Sequence, residues 1–226
     1  GIGSPPYPVL DTLNIEREDA DQFSQEVRFA SEPFLNDRVT AIVGLYYLKE
    51  DVDRTEIADL ISVLGSRIAA RARGIELDVT ARPTNWLSLW GSYGYLDAEY
   101  VDLIDTAGVD RSGNRLIYAP ENTYNIGGEI DLPVNERTRA FVRADYRWQD
   151  QFFFDPANDA VNTQPGYGLL NAWLGMRFAD SRVVAELWGK NLTNRLYRTS
   201  NIPFLGDRFV TFGPPRTYGV RVRVSY

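Results

Sequence analysis

The sequence predicts an all-β fold, an antiparallel meander of about nine long strands that forms part of a transmembrane β-barrel. Three observations lead there. The chain ends on Tyr218-Gly219-Val220-Arg221-Val222-Arg223-Val224-Ser225-Tyr226, where large apolar residues alternate with small or charged ones and an aromatic residue stands last. Successive side chains of a strand point to opposite faces, so Tyr218, Val220, Val222, Val224 and Tyr226 share a face suited to lipid. The other period-2 segments run close to ten residues, the length with which a tilted strand crosses a bilayer. The links between them alternate strictly between short and long, as in barrels with short periplasmic turns and long extracellular loops.

In chain order, the strands are expected at Phe23 to Ser31, Val39 to Lys49, Ala72 to Arg82, Leu87 to Ala98, Thr123 to Leu132, Arg139 to Gln149, Gly168 to Phe178, Arg182 to Asn191 and Arg216 to Tyr226. In the third, Ile75, Leu77, Val79 and Ala81 alternate with Glu76, Asp78, Thr80 and Arg82. In the sixth, Ala140, Val142, Ala144, Tyr146 and Trp148 oppose Phe141, Arg143, Asp145, Arg147 and Gln149. The seventh sets Leu170, Ala172, Leu174, Met176 and Phe178 against Asn171, Trp173, Gly175 and Arg177. Val39 to Lys49 is apolar on both faces, and its orientation stays open.

Short links fall at Pro33 to Arg38, Pro83 to Trp86, Pro133 to Thr138 and Ala179 to Ser181. Long ones fall at Glu50 to Arg71, Glu99 to Asn122, Asp150 to Tyr167 and Leu192 to Pro215. Parity makes the last strand descend, with Tyr226 at the periplasmic rim. Residues 1–22, with Pro5, Pro6, Pro8 and many acids, read as a loop segment ahead of a barrel portion over 23–226. Ile57 to Ala70 spaces its apolar residues nearer to a helical period. It is read as a short helix in a surface loop or as a seam where barrel sequence is missing.

Composition narrows the chemistry. The 226 residues contain no cysteine and no histidine, so disulfides, thiolate metal sites and a Ser–His pair are all absent. No enzyme and no cofactor is expected. A net charge of −7 speaks against nucleic acid as a partner. Thirteen tyrosines, five tryptophans and eleven phenylalanines suit membrane–water interfaces. The chain begins at Gly1 and its only methionine is Met176, which reads as a processed product or a fragment.

Few residues stand out as a site. Phe152, Phe153 and Phe154 lie in an expected outer loop, either gripping a planar ligand or packing within the loop. Asp155, Asn158 and Asp159 offer oxygen ligands for Ca²⁺ without a complete loop motif. Asn191-Leu192-Thr193 fits a glycosylation sequon, a match taken as accidental.

Several phrases resemble the C-terminal barrel of TonB-dependent outer-membrane receptors. They are Trp188-Gly189-Lys190-Asn191-Leu192-Thr193-Asn194 with Leu196-Tyr197, and Gly213-Pro214-Pro215-Arg216-Thr217-Tyr218-Gly219-Val220. Ala72-Arg73-Gly74-Ile75-Glu76-Leu77, Ala119-Pro120-Glu121-Asn122-Thr123-Tyr124-Asn125, and Ser24-Gln25-Glu26-Val27-Arg28-Phe29 with Gly44-Leu45-Tyr46-Tyr47 are similar to further family segments. The resemblance implies uptake of a scarce nutrient, most often a ferric siderophore, through an outer-membrane barrel powered by TonB. The implied partners are outer-membrane lipid, the barrel assembly machinery that reads the terminal strand, TonB acting through a plug domain missing from this chain, and an iron–siderophore ligand. About nine strands fall short of the 22 of such transporters. A truncated, non-transporting barrel remnant and a soluble ligand-binding β-barrel therefore remain as alternatives.

Overall fold

The computed structural model describes residues 14–58, 62–105, 107–178, 182–204 and 207–225. The strands are β1 (Asn14–Ala30), β2 (Val39–Ala58), β3 (Ser62–Thr84), β4 (Leu87–Leu103), β5 (Asn122–Asn135), β6 (Thr138–Gln149), β7 (Phe152–Phe153), β8 (Thr163–Gln164), β9 (Tyr167–Phe178), β10 (Val183–Lys190), β11 (Arg198–Phe204), β12 (Asp207–Phe212) and β13 (Thr217–Val224). Among the described residues there is no α-helix, only a 3₁₀ turn at Ala160–Asn162. Nine of the strands form one antiparallel sheet in the order β1-β2-β3-β4-β5-β6-β9-β10-β13, the expected meander. The paired strands β7–β8 and β11–β12 lie within two of the long links.

Register gives the sheet two faces of different chemistry. Across β3, β4, β5, β6 and β9 the ladder rows Leu77–Tyr93, Tyr93–Tyr124 and Ile130–Val142–Leu174 place apolar side chains together. Val142, Leu174, Leu187 and Val220 are all exposed, and such a contiguous apolar surface is the opposite of what a water-facing sheet presents. Alternate residues carry Glu129, Asp131, Arg143, Asp145 and Arg177 on the concave face. The open orientation of β2 is settled by pairing: Val43 stands opposite Leu77 and Leu45 opposite Ile75, on the apolar side.

The apolar face ends in recognisable borders. Tyr93, Tyr124 and Trp148 lie in one cross-strand row at the long-link end, and Tyr124 stacks on Trp148 with ring centroids 5.1 Å apart. Such a row is an interfacial aromatic girdle. On β3–β4 the same face turns charged just past Ile75: Arg73 pairs with Asp97 at 2.7 Å, and Arg71 with Glu99. From Tyr124 to Leu132 the apolar band spans about 26 Å along the strand at roughly 3.3 Å per residue.

Three expectations need correction. β1 begins at Asn14 and not at Phe23, so residues 14–22 are strand paired with β2 from Asn14–Ala58 onward; residues 1–13 lie outside those described. The link Glu50 to Arg71 is not a loop with a helix, because β2 continues to Ala58 and β3 starts at Ser62, with Ile57 paired to Val63. The register runs without a shift from Val39–Ala81 to Ala58–Ser62. At 20 and 23 residues, β2 and β3 reach well beyond the 9–11 residues that cross a bilayer. Outside lipid nothing enforces apolar alternation, so the period-2 signal fades while the backbone ladder carries on. Likewise β4 continues to Leu103, five residues past the expected end.

Candidate functional site

The concave face of β4, β5, β6, β9 and β10 carries the chemistry. Two patches occupy it, and ion pairing distinguishes them.

Toward the short-turn end, three guanidiniums are matched to carboxylates. Arg177 donates to Glu129 at 2.7 Å and also to Asp131, while Arg139 Nε donates to Asp131 at 2.7 Å. Arg177 also lies 4.0 Å over the Phe141 ring. Phe141 in turn fills the space beside Gly175, directly across the ladder. Arg221 meets Glu186 at 2.9 Å. The wall here is largely self-neutralised.

Toward the long-link end, the wall opens into a concavity of about 730 Å³. Its floor is Arg143, whose guanidinium carbon sits 4.9 Å from the Trp90 ring and 5.2 Å from the Trp173 ring. Trp90 is placed by Gly127 opposite it, and Trp173 stands directly across from Arg143. Asp145 accepts from Asn171 Nδ2 at 2.8 Å, and Asn171 Oδ1 accepts the Asn191 backbone amide at 3.0 Å. Arg147, Lys190 and Tyr197 complete the rim. No sequence motif announces Trp90, Arg143 and Trp173 as a group, since they come from three strands and meet only through register.

Above the concavity three long links lock together. Phe152 and Phe154 are buried and meet edge-to-face at 5.2 Å, with Tyr118 of the β4–β5 link against both rings. Phe153 is only half-buried. Phe152 and Phe154 of this triplet thus sit in a packing cluster, with Arg198 lying 5.4 Å from the Phe154 ring. Asn158 bonds the backbone of Arg115 in both directions, at 2.8 and 3.0 Å, so its amide fastens two links. Among the described residues no cluster of three or more acidic side chains is arranged to hold a metal.

The Trp188 to Asn194 phrase has a mechanical reading. Asn191 adopts a left-handed backbone (φ 49) and is buried. Its Nδ2 donates to the carbonyls of Arg195 and Pro214 at 2.9 and 3.0 Å, and its Oδ1 accepts from Arg195 N at 2.8 Å. One side chain therefore ties both ends of the 192–215 link to the top of β10. With both Nδ2 bonds used inside the fold, the sequon is sterically closed.

At the edge of the sheet, Tyr218, Val220, Val222 and Val224 project outward, Val220 at 71% exposure, while Arg221 and Arg223 line the concave side beside Val184 and Glu186. Tyr226, which completes the expected terminal signature, lies outside the described residues.

Known proteins share this architecture. The chain resembles the ferric yersiniabactin uptake receptor of Yersinia pestis, with a TM-score of 0.62 and 14% identity over 95% of this chain and 47% of that one. The ferric preacinetobactin receptor of Acinetobacter baumannii aligns at TM-score 0.65 and 21% identity over 89% of this chain and 29% of that one. The ferripyoverdine receptor of the outer membrane of Pseudomonas aeruginosa aligns at 0.61 and 15% over 92% and 27%. The chain spans less than half the length of each. Residues 14–193 match the family model described as TonB dependent receptor-like, beta-barrel, so with the nine-stranded two-faced meander in place, this chain belongs to the TonB-dependent receptor β-barrel family.

Proposed function

We propose that the chain is the C-terminal barrel wall of an outer-membrane receptor that imports a scarce nutrient, a ferric siderophore foremost, with energy from TonB. The observation that carries this is the sheet's division into an outward apolar band and a polar concave wall, in a family member whose structural neighbours include receptors for ferric yersiniabactin, ferric preacinetobactin and ferripyoverdine. The wall's function is transport and ligand capture, with no catalysis.

Strand direction supports a larger barrel. β1 and β13 are the two edges of a nine-stranded antiparallel sheet and so run the same way. Closing an all-antiparallel barrel requires an odd number of further strands between them, which accords with the even strand counts of bacterial barrels. In this reading those strands and a plug complete the receptor. β13 descends to the periplasmic rim, and Tyr218, Val220, Val222, Val224 and Tyr226 form the strand read by the assembly machinery. Phe152 and Phe154 brace the outer links, leaving Phe153 the most open of the three toward ligand.

The test is growth. In a host lacking its own siderophore receptors and starved of iron, the complete protein restores growth on its ferric siderophore. Growth stops when TonB is deleted. Uptake that persists without TonB, or an absence of uptake across a panel of ferric siderophores by a protein correctly inserted in the outer membrane, overturns the reading.

A further inference from the structure

Ion pairing along the concave wall stops at the edge of the 730 Å³ concavity. Below it, Arg139, Arg177 and Arg221 have carboxylate partners, and among the described residues Arg223 has none. Among the described residues, Arg143, Arg147 and Lys190 have no carboxylate within ion-pair distance. The one acid in the lining, Asp145, is engaged by Asn171 at 2.8 Å. Three cations thus face one carboxylate inside a chain whose net charge is −7.

Arg143 is also oriented. Indole centroids lie 4.9 and 5.2 Å from its guanidinium carbon, holding the group by cation–π attraction, and among the described residues no acceptor engages its N–H fork. That fork is the geometry that grips a carboxylate or another oxyanion with two parallel bonds. Arg143 and Arg147 are four residues apart on β6, which sets their Cα atoms about 13 Å apart at roughly 3.3 Å per residue. Lys190 comes from β10, on the other side of β9. A solute of several hundred Å³ fills such a space, the range of ordinary small-molecule sites.

We propose that Arg143, Arg147 and Lys190 form an anion subsite that receives oxyanion groups of the cargo, making the transported solute a small multiply anionic chelate. The inference rests on the uptake reading above and adds to it the charge class of the cargo and the residues that select it. Arg143 supplies bidentate recognition, and Lys190 and Arg147 supply point charges at the rim. The rival occupant is an acidic polypeptide segment packed into the lumen.

Calorimetric titration of the purified protein in detergent tests it with two iron probes, the trianionic ferric tris(catecholate) and the neutral ferric tris(acetohydroxamate), and with iron-free citrate. The trianion binds, and its affinity falls with added salt. Arg143→Gln and Arg143→Lys each weaken it by about tenfold or more, since both lose the charged fork. Lys190→Gln weakens it less, and Arg221→Gln, lower on the wall, leaves it unchanged. Neutral and anionic chelates bound equally well, with no effect of Arg143→Gln, overturn the subsite while leaving the receptor reading intact. Citrate bound through Arg143 with neither iron probe bound keeps the subsite and overturns the siderophore reading. A lowered Tm in Arg143→Gln with unchanged affinity assigns Arg143 to a polypeptide occupant and overturns the subsite. Absence of binding by all three probes overturns it as well.

Discussion

Trp90 and Gly127 face one another across the β4–β5 ladder, and the indole lies where a Cβ on Gly127 would stand: Cε2 would be 2.5 Å from it. The missing side chain lets the ring lie flat on the wall, and the flat ring is one half of the clamp on Arg143.

Gly127→Val should therefore act at a distance. The added atoms push Trp90 off the wall, costing about 1–3 kcal/mol as overpacking does, and remove one of the two indoles beside Arg143. Denaturant unfolding and the emission of Trp90 in single-tryptophan variants report both effects. A Gly127→Val protein with unchanged stability and unchanged Trp90 emission contradicts the packing described.

Val222 and Arg223 are neighbours in sequence on opposite faces of β13. Val222 is 63% exposed on the apolar side opposite Ala185, whereas Arg223 stands opposite Val184 on the concave side. Val222→Arg should cost about 2–4 kcal/mol near the bilayer midplane, and Arg223→Ala should be mild. Reversible folding into lipid vesicles measures both. Equal costs would remove the two-face assignment.

Asn191→Ala should loosen the 192–215 link. Three hydrogen bonds of a buried side chain are lost and the carbonyls of Arg195 and Pro214 lose a donor, at a cost of about 1–3 kcal/mol. Limited proteolysis should cut within 192–215 in the variant before it cuts the wild type. Asn191→Asp should behave as badly, because it sets a carboxylate oxygen against the same two carbonyls.

Asp105 lies in the β4–β5 link, beyond the charged rows that border the apolar band. Its carboxylate accepts the Val109 and Ala107 amides, each at 2.9 Å, and Arg111 Nε at 2.8 Å. These bonds, the Val109 amide foremost and then Arg111, hold the carboxyl below its ordinary range. A depressed folded-state pKa stabilises fully above the unfolded value of about 3.9 and ceases as pH falls through the folded one. Hydrogen-exchange protection at Val109, corrected for intrinsic rates, should stay level from neutral pH down to the carboxylate range and drop only below it. Asp105→Asn should lower that protection at every pH above the carboxylate range. A loss of protection already between neutral pH and pH ~5 would exclude this carboxylate as the anchor.

Which parts of the fold were legible follows from what constrains each residue. Lipid admits only apolar side chains, so Ile75, Leu77, Val79 and Ala81 alternate openly with Glu76, Asp78, Thr80 and Arg82, and β3 could be placed there from sequence. Above Arg73 that constraint ends. Ile57 to Ala70 then shows apolar spacing closer to a helix, although the segment belongs to the ladder with Ala58 and Ser62 paired. The Phe152 to Phe154 triplet was legible as an outer-loop feature with packing as one of its two readings, but its partner was not, because Tyr118, which meets two of its rings, comes from another link.

By itself the sequence determined the all-β class, the chain order and antiparallel run of the long strands, and the outward face of most of them, β2 excepted, because a bilayer imposes period 2 on any strand that crosses it. The lengths of β2 and β3 beyond the bilayer were decided by the tertiary structure, through a backbone ladder that is blind to side-chain pattern. It also decided the place where Arg143 lies between Trp90 and Trp173. That meeting depends on the register of β4, β5, β6 and β9 relative to one another, which is a property of the paired sheet and of no single strand.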